Sequence, residues 1–248
     1  MSLWRLEWLR VARTRRLLSI FGVYVFFGLI GPLSARYVGE IVNRFASSGV
    51  KVEFPTPRPV DGIAQFTGNA TQLGLLVVVL VAASALAFDA RREMAVFLRT
   101  RVGAGSVVLV AYAVNAAAAV AGFAAGVAAA WYETAVLLGG PPVGEMLVGT
   151  AYAAVFLAFA IAVTALAASL TRSPLGTAGL TIAALLVMSV AGVVHAVSRW
   201  LPTSLASATP ALMRGTSLGY YLGAAAVAVV LGAGCLALAV RLARRHEV

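Results

Sequence analysis

Asp89-Ala-Arg-Arg-Glu-Met-Ala-Val-Phe-Leu-Arg-Thr-Arg101 is an island of charge between two long apolar runs, and the side of a membrane on which it stands organises the rest of the chain. Of the 248 residues, 61% are hydrophobic and only 11% charged, with a mean hydropathy of +0.94. Such a composition cannot close a soluble core and still leave a wettable surface. The expected fold is therefore all-α, a polytopic membrane bundle of about six helices. A balance of 19 basic to 9 acidic residues gives +10. In a soluble protein that excess raises nucleic acid as a partner. Here the basic residues are almost all Arg at the ends of apolar runs, as an anionic leaflet and the orientation rule favour, so no nucleic acid is implied. The single cysteine, Cys235, lies inside an apolar run and makes no intrachain disulfide.

Upstream of the island, residues 72–88 make a second span that is short for a bilayer and extends by snorkelling through Asp89 and Arg91. Before it stands the longest polar segment. Tyr37, Ile41, Val42 and Phe45 fall on one side of an amphipathic continuation of the first span, and Pro55, Pro57 and Pro59 stop regular structure. Asn69-Ala-Thr71 matches a glycosylation acceptor, a pattern too short to carry weight. The first span covers residues 17–35, with Pro32 in its last turns predicting a kink or an early exit. Residues 1–16 read either as the basic leader of a secretory signal or, better, as an interfacial helix. Trp4, Trp8 and Val11 form its i, i+4, i+7 stripe toward lipid, and its Arg residues face phosphates.

Downstream, residues 89–104 form the cytoplasmic segment and 105–130 the third span, ending at Trp131, Tyr132 and Glu133, an interfacial signature. After Gly139-Gly-Pro-Pro142 comes a fourth span at 146–170. The turn Thr171-Arg-Ser-Pro174 predicts a tight hairpin with Ser173 as N-cap and Pro174 at the first helical position of a fifth span, 174–197. Residues 199–217, broken by Trp200, Pro202 and Pro210, are an external segment of re-entrant type, and 218–242 is the sixth span.

Thirteen Lys and Arg residues lie on the side of the N-terminus, the island, Arg172 and the C-terminus, against six on the other. Both termini and the island are therefore expected in the cytoplasm of a multi-pass cell-membrane protein.

Membrane-embedded enzyme chemistry needs clustered ionisable or nucleophilic groups. The chain has only two histidines, His195 and His246, and pairs no acids at helical spacing inside a span. No catalytic, metal-binding or cofactor-binding residue is assigned. Ion-coupled transport usually places acids near the midplane, whereas Glu133 and Glu145 lie at outer span ends. Asn115 and His195 read as polar groups satisfied within the bundle, Asn115 between helices. The only Lys is Lys51, in a Pro-containing loop, so a P-loop is ruled out and this chain is not expected to hydrolyse ATP.

From Phe45 to Ala113 the chain resembles the type-2 ATP-binding-cassette exporter permeases. The likeness rests on the Pro-rich loop Pro55-Thr-Pro-Arg-Pro59, the run Ala64-Gln-Phe66, Asn69, Gln72-Leu-Gly74, a short second span and then a charged segment. The six-span layout, the interfacial helix and the broken segment before the last span extend it over nearly the whole chain. The resemblance implies that 89–104 is a coupling helix docking on an ATPase subunit, with Asp89, Arg91, Arg92, Glu93, Phe97, Leu98, Arg99 and Arg101 as its contact residues. It also implies that Trp200, Pro202 and Pro210 belong to an outer gate. Glu93 and Met94 stand where the family carries Gly-Thr, Val102 stands where it carries Pro, and no Lys follows Gly105. These departures leave room for one half of a heteromeric permease, and for the plainer reading of the island as a solvated loop that only sets topology.

The function so implied is the transmembrane subunit of an exporter, paired with a second permease copy or paralogue and with ATPase subunits that hold ATP and Mg. The Ala- and Val-rich path points to a lipophilic or amphipathic cargo. The rivals are a stand-alone secondary transporter or channel, and a membrane assembly protein that transports nothing. Gly122-xxx-Gly126 offers a surface for close helix packing, including a dimer face.

Overall fold

The computed structural model describes residues 3–45, 55–87, 103–171 and 173–245, and the island Asp89–Arg101 lies outside them. Helix α1 (Leu3–Arg13) leads into α2 (Arg16–Phe45), followed by α3 (Pro59–Asn69), a π turn (Ala70–Gly74) and α4 (Leu75–Leu86). Then come α5 (Ala104–Leu137), α6 (Val143–Leu170), α7 (Pro174–Ala191), the one-turn α8 (His195–Ser198), a 3-10 turn (Pro202–Ser207) and α9 (Ala208–Met213). A second 3-10 turn (Leu218–Tyr221) opens the last helix, α10 (Leu222–Arg245). No strand occurs among the described residues. Six helical stretches are long and apolar enough to cross a bilayer: Arg16–Arg44, Pro59–Leu86, Gly105–Leu137, Val143–Leu170, Pro174–Ala191 and Leu218–Arg245. The chain is a multi-pass membrane helical bundle.

The spans differ from their sequence-based bounds where a Pro or a polar residue looks like a stop. The first does not exit near Pro32 but runs as one helix to Phe45, which takes in the amphipathic continuation expected over Tyr37, Ile41, Val42 and Phe45. The residue before Pro32 is Gly31, which has no Cβ to meet the proline ring, so the usual restriction on the preceding residue is relieved. The second span is not 72–88 but Pro59–Leu86. Pro59 occupies the first helical position, where its missing N–H is no loss. There the Arg58 N–H donates to Asp61 Oδ2 at 2.9 Å, and the Asp61 N–H to the Arg58 carbonyl at 2.9 Å. The polar residues that hid this half of the span satisfy themselves in part: the Thr67 and Thr71 hydroxyls donate to the carbonyls of Ile63 and Thr67, at 2.8 and 2.7 Å.

The third span runs past Trp131 to Leu137, and Gly139, at φ +100°, turns the chain away. The fifth stops at Ala191 rather than 197, where the Gly192 N–H closes back on Met188 and Ser189 at 3.1 Å. At its start the Ser173 cap forms as the sequence predicts, with the Gly176 N–H donating to Ser173 Oγ at 3.1 Å.

The bundle is centred on α6, whose apolar stretch is the most buried of the six. One buried cluster joins Val11 of α1, Ile20 and Tyr24 of α2, Phe66 of α3, Val114 and Phe123 of α5 and Ile161 of α6. A second joins Tyr152, Phe156 and Phe159 of α6 to Leu185 of α7, Leu205 and Leu212 of the short helices and Tyr221 before α10.

The most extensive helix pair is α2 with α5, and glycine makes it. A Cβ at Gly122 would lie 2.7 Å from Ile20 Cγ2, and one at Gly126 would lie 2.7 Å from the Tyr24 carbonyl oxygen. With Ile20 opposite Gly122 and Tyr24 opposite Gly126, the two helices run parallel at backbone contact. The Gly122-xxx-Gly126 face is thus occupied inside the chain and is not available as a dimer face.

Candidate functional site

The side chains that the sequence marks as functional fall at the two ends of the bundle. At the end carrying the chain termini, α1 lies against α2 and α5. Trp4 and Trp8 are half-exposed, but Val11 is turned into the bundle at 1% exposure, so the expected lipid-facing stripe divides between two environments. Beside Val11, one turn earlier, Glu7 is buried, and its Oε1 pairs with Arg10 Nη1 at 3.3 Å. Sequence reading passed over Glu7. The one signal available was the i, i+3 spacing to Arg10 on the face that holds Val11.

The corner between α1 and α2 is made at Arg15, whose φ of 58° lies in the left-handed region that ordinary residues avoid. The Thr14 hydroxyl closes α1 on the Arg10 carbonyl at 2.6 Å, and the Ser19 N–H opens α2 on the Arg15 carbonyl at 2.9 Å. A right-handed residue there would carry α1 onward along the axis of α2. The left-handed one turns it across the bundle end.

Asp89, Arg91, Arg92, Glu93, Phe97, Leu98, Arg99 and Arg101 lie outside the described residues, but both roots of their segment are placed. On the α4 side, the Arg16 guanidinium donates from Nη2 to the Ser84 carbonyl at 3.4 Å, joining the start of α2 to the last turn of α4. On the α5 side, Gly105 packs under the end of α10: a Cβ there would lie 2.9 Å from Val240 Cγ1 and 3.3 Å from Arg244 Nε. Each root is therefore fastened to a second span, the first to α2 and the other to α10.

At the opposite end, residues 199–217 fold into the bundle rather than over it. Pro202 starts the 3-10 turn, and Pro210 sits in the first turn of α9, where no intrahelical N–H is needed, so neither proline breaks the helix that contains it. Pro202, Leu205, Ala206, Thr209, Pro210 and Leu212 are buried, packed chiefly on α6 with further contact to α3. The close approach is set by Gly149, where any Cβ would overlap the side chain of Thr209. Gly215, at φ +95°, then turns the chain back toward the sixth span. Trp200 stays half-exposed at the rim.

Tyr24 is the bulkiest fully buried side chain among the described residues. It is fully buried, edge-on to Phe123 with centroids 5.4 Å apart. Gly74, the last residue of the π turn, makes room for it, since a Cβ there would lie 2.6 Å from Tyr24 Cε1. Asn115 is buried too, but its amide donates to the Ala111 carbonyl of its own helix at 2.8 Å rather than to another helix. Among the described residues no three His, Cys, Asp or Glu side chains gather as metal ligands would. The arrangement is one of closely packed spans whose few buried polar side chains, among them Asn115, Thr164 and Thr181, donate to carbonyls of their own helices. No protein-family model, curated protein or solved structure matches the chain.

Proposed function

We propose that the chain is the transmembrane permease subunit of a type-2 ATP-binding-cassette exporter. It would work with a second permease copy or paralogue and with a separate ATPase subunit that binds ATP and Mg, and it would itself catalyse nothing. In this reading both termini and residues 89–104 face the cytoplasm of the cell membrane. The ATPase docks on Asp89, Arg91, Arg92, Glu93, Phe97, Leu98, Arg99 and Arg101, and a lipophilic or amphipathic cargo passes between the two permeases.

The observation that supports it best is the fastening of the roots of 89–104. A displacement imposed on that segment reaches α4 and α2 through Ser84 and Arg16, and α5 and α10 through Gly105 and Arg244. Four spans can then shift together between two packings, as an ATP-driven switch of access requires. The segment 199–217, with Pro202 and Pro210 buried and Trp200 at the rim, would close the far end in one of them.

The test is co-purification of the chain with an ATPase subunit and measurement of cargo-stimulated ATP hydrolysis. Replacing Arg92 with Glu and Phe97 with Ala is expected to abolish stimulation while the purified bundle keeps its melting temperature. A chain that transports its cargo with no ATPase present would refute the proposal.

A further inference from the structure

Where the sixth span begins, Arg199, Trp200, Gly219, Tyr220 and Gly223 line an open recess of about 310 Å³. Its walls are braced from below. Tyr152 of α6 donates its hydroxyl to the Leu218 carbonyl at 2.8 Å, holding the 3-10 turn that carries Gly219 and Tyr220. Tyr221 packs beside Tyr152 at 5.6 Å between centroids, and Tyr220 meets Tyr221 edge-on at 5.1 Å. Gly223 admits the indole, for a Cβ there would lie 2.9 Å from Trp200 Cζ3. The Arg199 guanidinium stands 5.5 Å over the Trp200 ring.

Among the described residues no carboxylate lines the recess, and none forms an ion pair with Arg199. A guanidinium held against an indole keeps its N–H edges free for a planar, bidentate acceptor such as phosphate. Trp and Tyr in the walls are the side chains that settle at headgroup level. Leu218 and Leu222, each one residue before a lining glycine, are 53% and 62% exposed and stand four residues apart, as apolar neighbours at the mouth of the span do.

We infer that this recess binds a membrane phospholipid with a net-negative headgroup, the phosphate on Arg199 and an acyl chain along Leu218 and Leu222. A zwitterionic lipid brings its own ammonium toward the guanidinium and is disfavoured. The site stands on the bundle alone, whether or not an ATPase partners it.

The test uses the full chain in lipid nanodiscs, with Trp4, Trp8 and Trp131 replaced by Phe so that Trp200 alone fluoresces. Phosphatidylglycerol with brominated chains is expected to quench Trp200 at about fivefold lower mole fraction than brominated phosphatidylcholine, the discrimination of one half-exposed ion pair. Arg199→Gln should erase that difference. Gly223→Ala should weaken quenching by phosphatidylglycerol by displacing the indole while leaving the charge in place. Equal quenching by the two lipids with Arg199 present, or a preference retained in Arg199→Gln, would overturn the inference. Reversal of the quenching by millimolar inorganic phosphate would also overturn it, by making the free anion the ligand. If the Phe replacements unfold the bundle, native mass spectrometry of the unmodified chain reads the same preference as retained phosphatidylglycerol, again compared with Arg199→Gln.

Discussion

The α2–α5 pair and the α7 and α10 spans are built of the same small and branched apolar residues, yet they hold their places differently. In α2 and α5, glycines bring backbone onto backbone, and Tyr24 and Phe123 fill the space between. In α7 and α10 only 22% of each apolar stretch is buried, and Val187, Val190 and Val230 stand about 70% exposed. Lipid is as apolar as valine, so burial of these side chains does not drive association as it would in water. The first pair is held by fit, whereas α10 packs chiefly on α6, and α7 lies between α6 and α4, where Ala178 meets Val79 and Ala83.

The contrast orders the expected effects of substitution. The largest belongs to Tyr24→Ala, which empties the space beside Gly74, Phe123 and Gly126. By analogy with buried aromatic truncations it should cost about 3 kcal/mol or more, read as a fall in unfolding midpoint in detergent. If Tyr24→Ala proves no worse than Val230→Ala on α10, the distinction between the two regions fails. Next is Gly126→Leu, which drives a side chain into the Tyr24 backbone and should cost about 1–3 kcal/mol, while Val187→Leu on α7 stays within about 0.5 kcal/mol.

Two smaller effects sharpen the picture at the helix ends. Ser173→Ala removes the cap of α7 and should cost about 1 kcal/mol. Because so little of α7 is buried, hydrogen exchange should rise at Gly176 and Thr177 before it rises anywhere in α5. Arg15→Gly relieves the left-handed corner by roughly 1 kcal/mol. Its gain should appear as a higher melting temperature, most clearly at high salt, where loss of the charge matters least.

The bundle was legible in composition and in six apolar runs, because exclusion of charge from the hydrocarbon leaves its mark residue by residue. The ends of the spans were harder to read. Pro32, Pro59 and Pro210 look like breakers in the sequence, but each occupies a helical position that tolerates it: after a glycine, at the first residue of a helix, or within the first turn. Ser173 and Pro174 were read correctly because a cap is a local arrangement. The inward turn of Val11 and Glu7, the approach of Tyr24 to Gly74 and the Arg16–Ser84 bond depend on contacts between distant segments, and no spacing along the chain announces them. The recess at Arg199 and Trp200 was half visible. Trp200 stands out in the sequence as a break in the segment before the sixth span and Arg199 counts only toward the charge of that side, whereas Gly223, which makes room for the indole, looks like any other glycine in an Ala- and Gly-rich helix.

The π turn at Ala70–Gly74 gives the second span a step in phase. A π turn holds one residue more than an α-helical turn, so the faces before and after it are offset by about 100° relative to an unbroken helix. Phe66 meets Phe123 on one side of that step, while Val78 and Ala82 join the same buried cluster on the other. Deletion of Gln72 would remove the surplus residue and let the span close as an unbroken α-helix, with residues 59–69 on the faces they already hold. Cysteine-labelling accessibility along that stretch should then keep its protected and reactive positions, and an exchange of the two would show that the π turn does not absorb the extra residue. The span reads, in effect, as two short rods joined out of alignment, and the single surplus residue lets both present an apolar edge to the same interior.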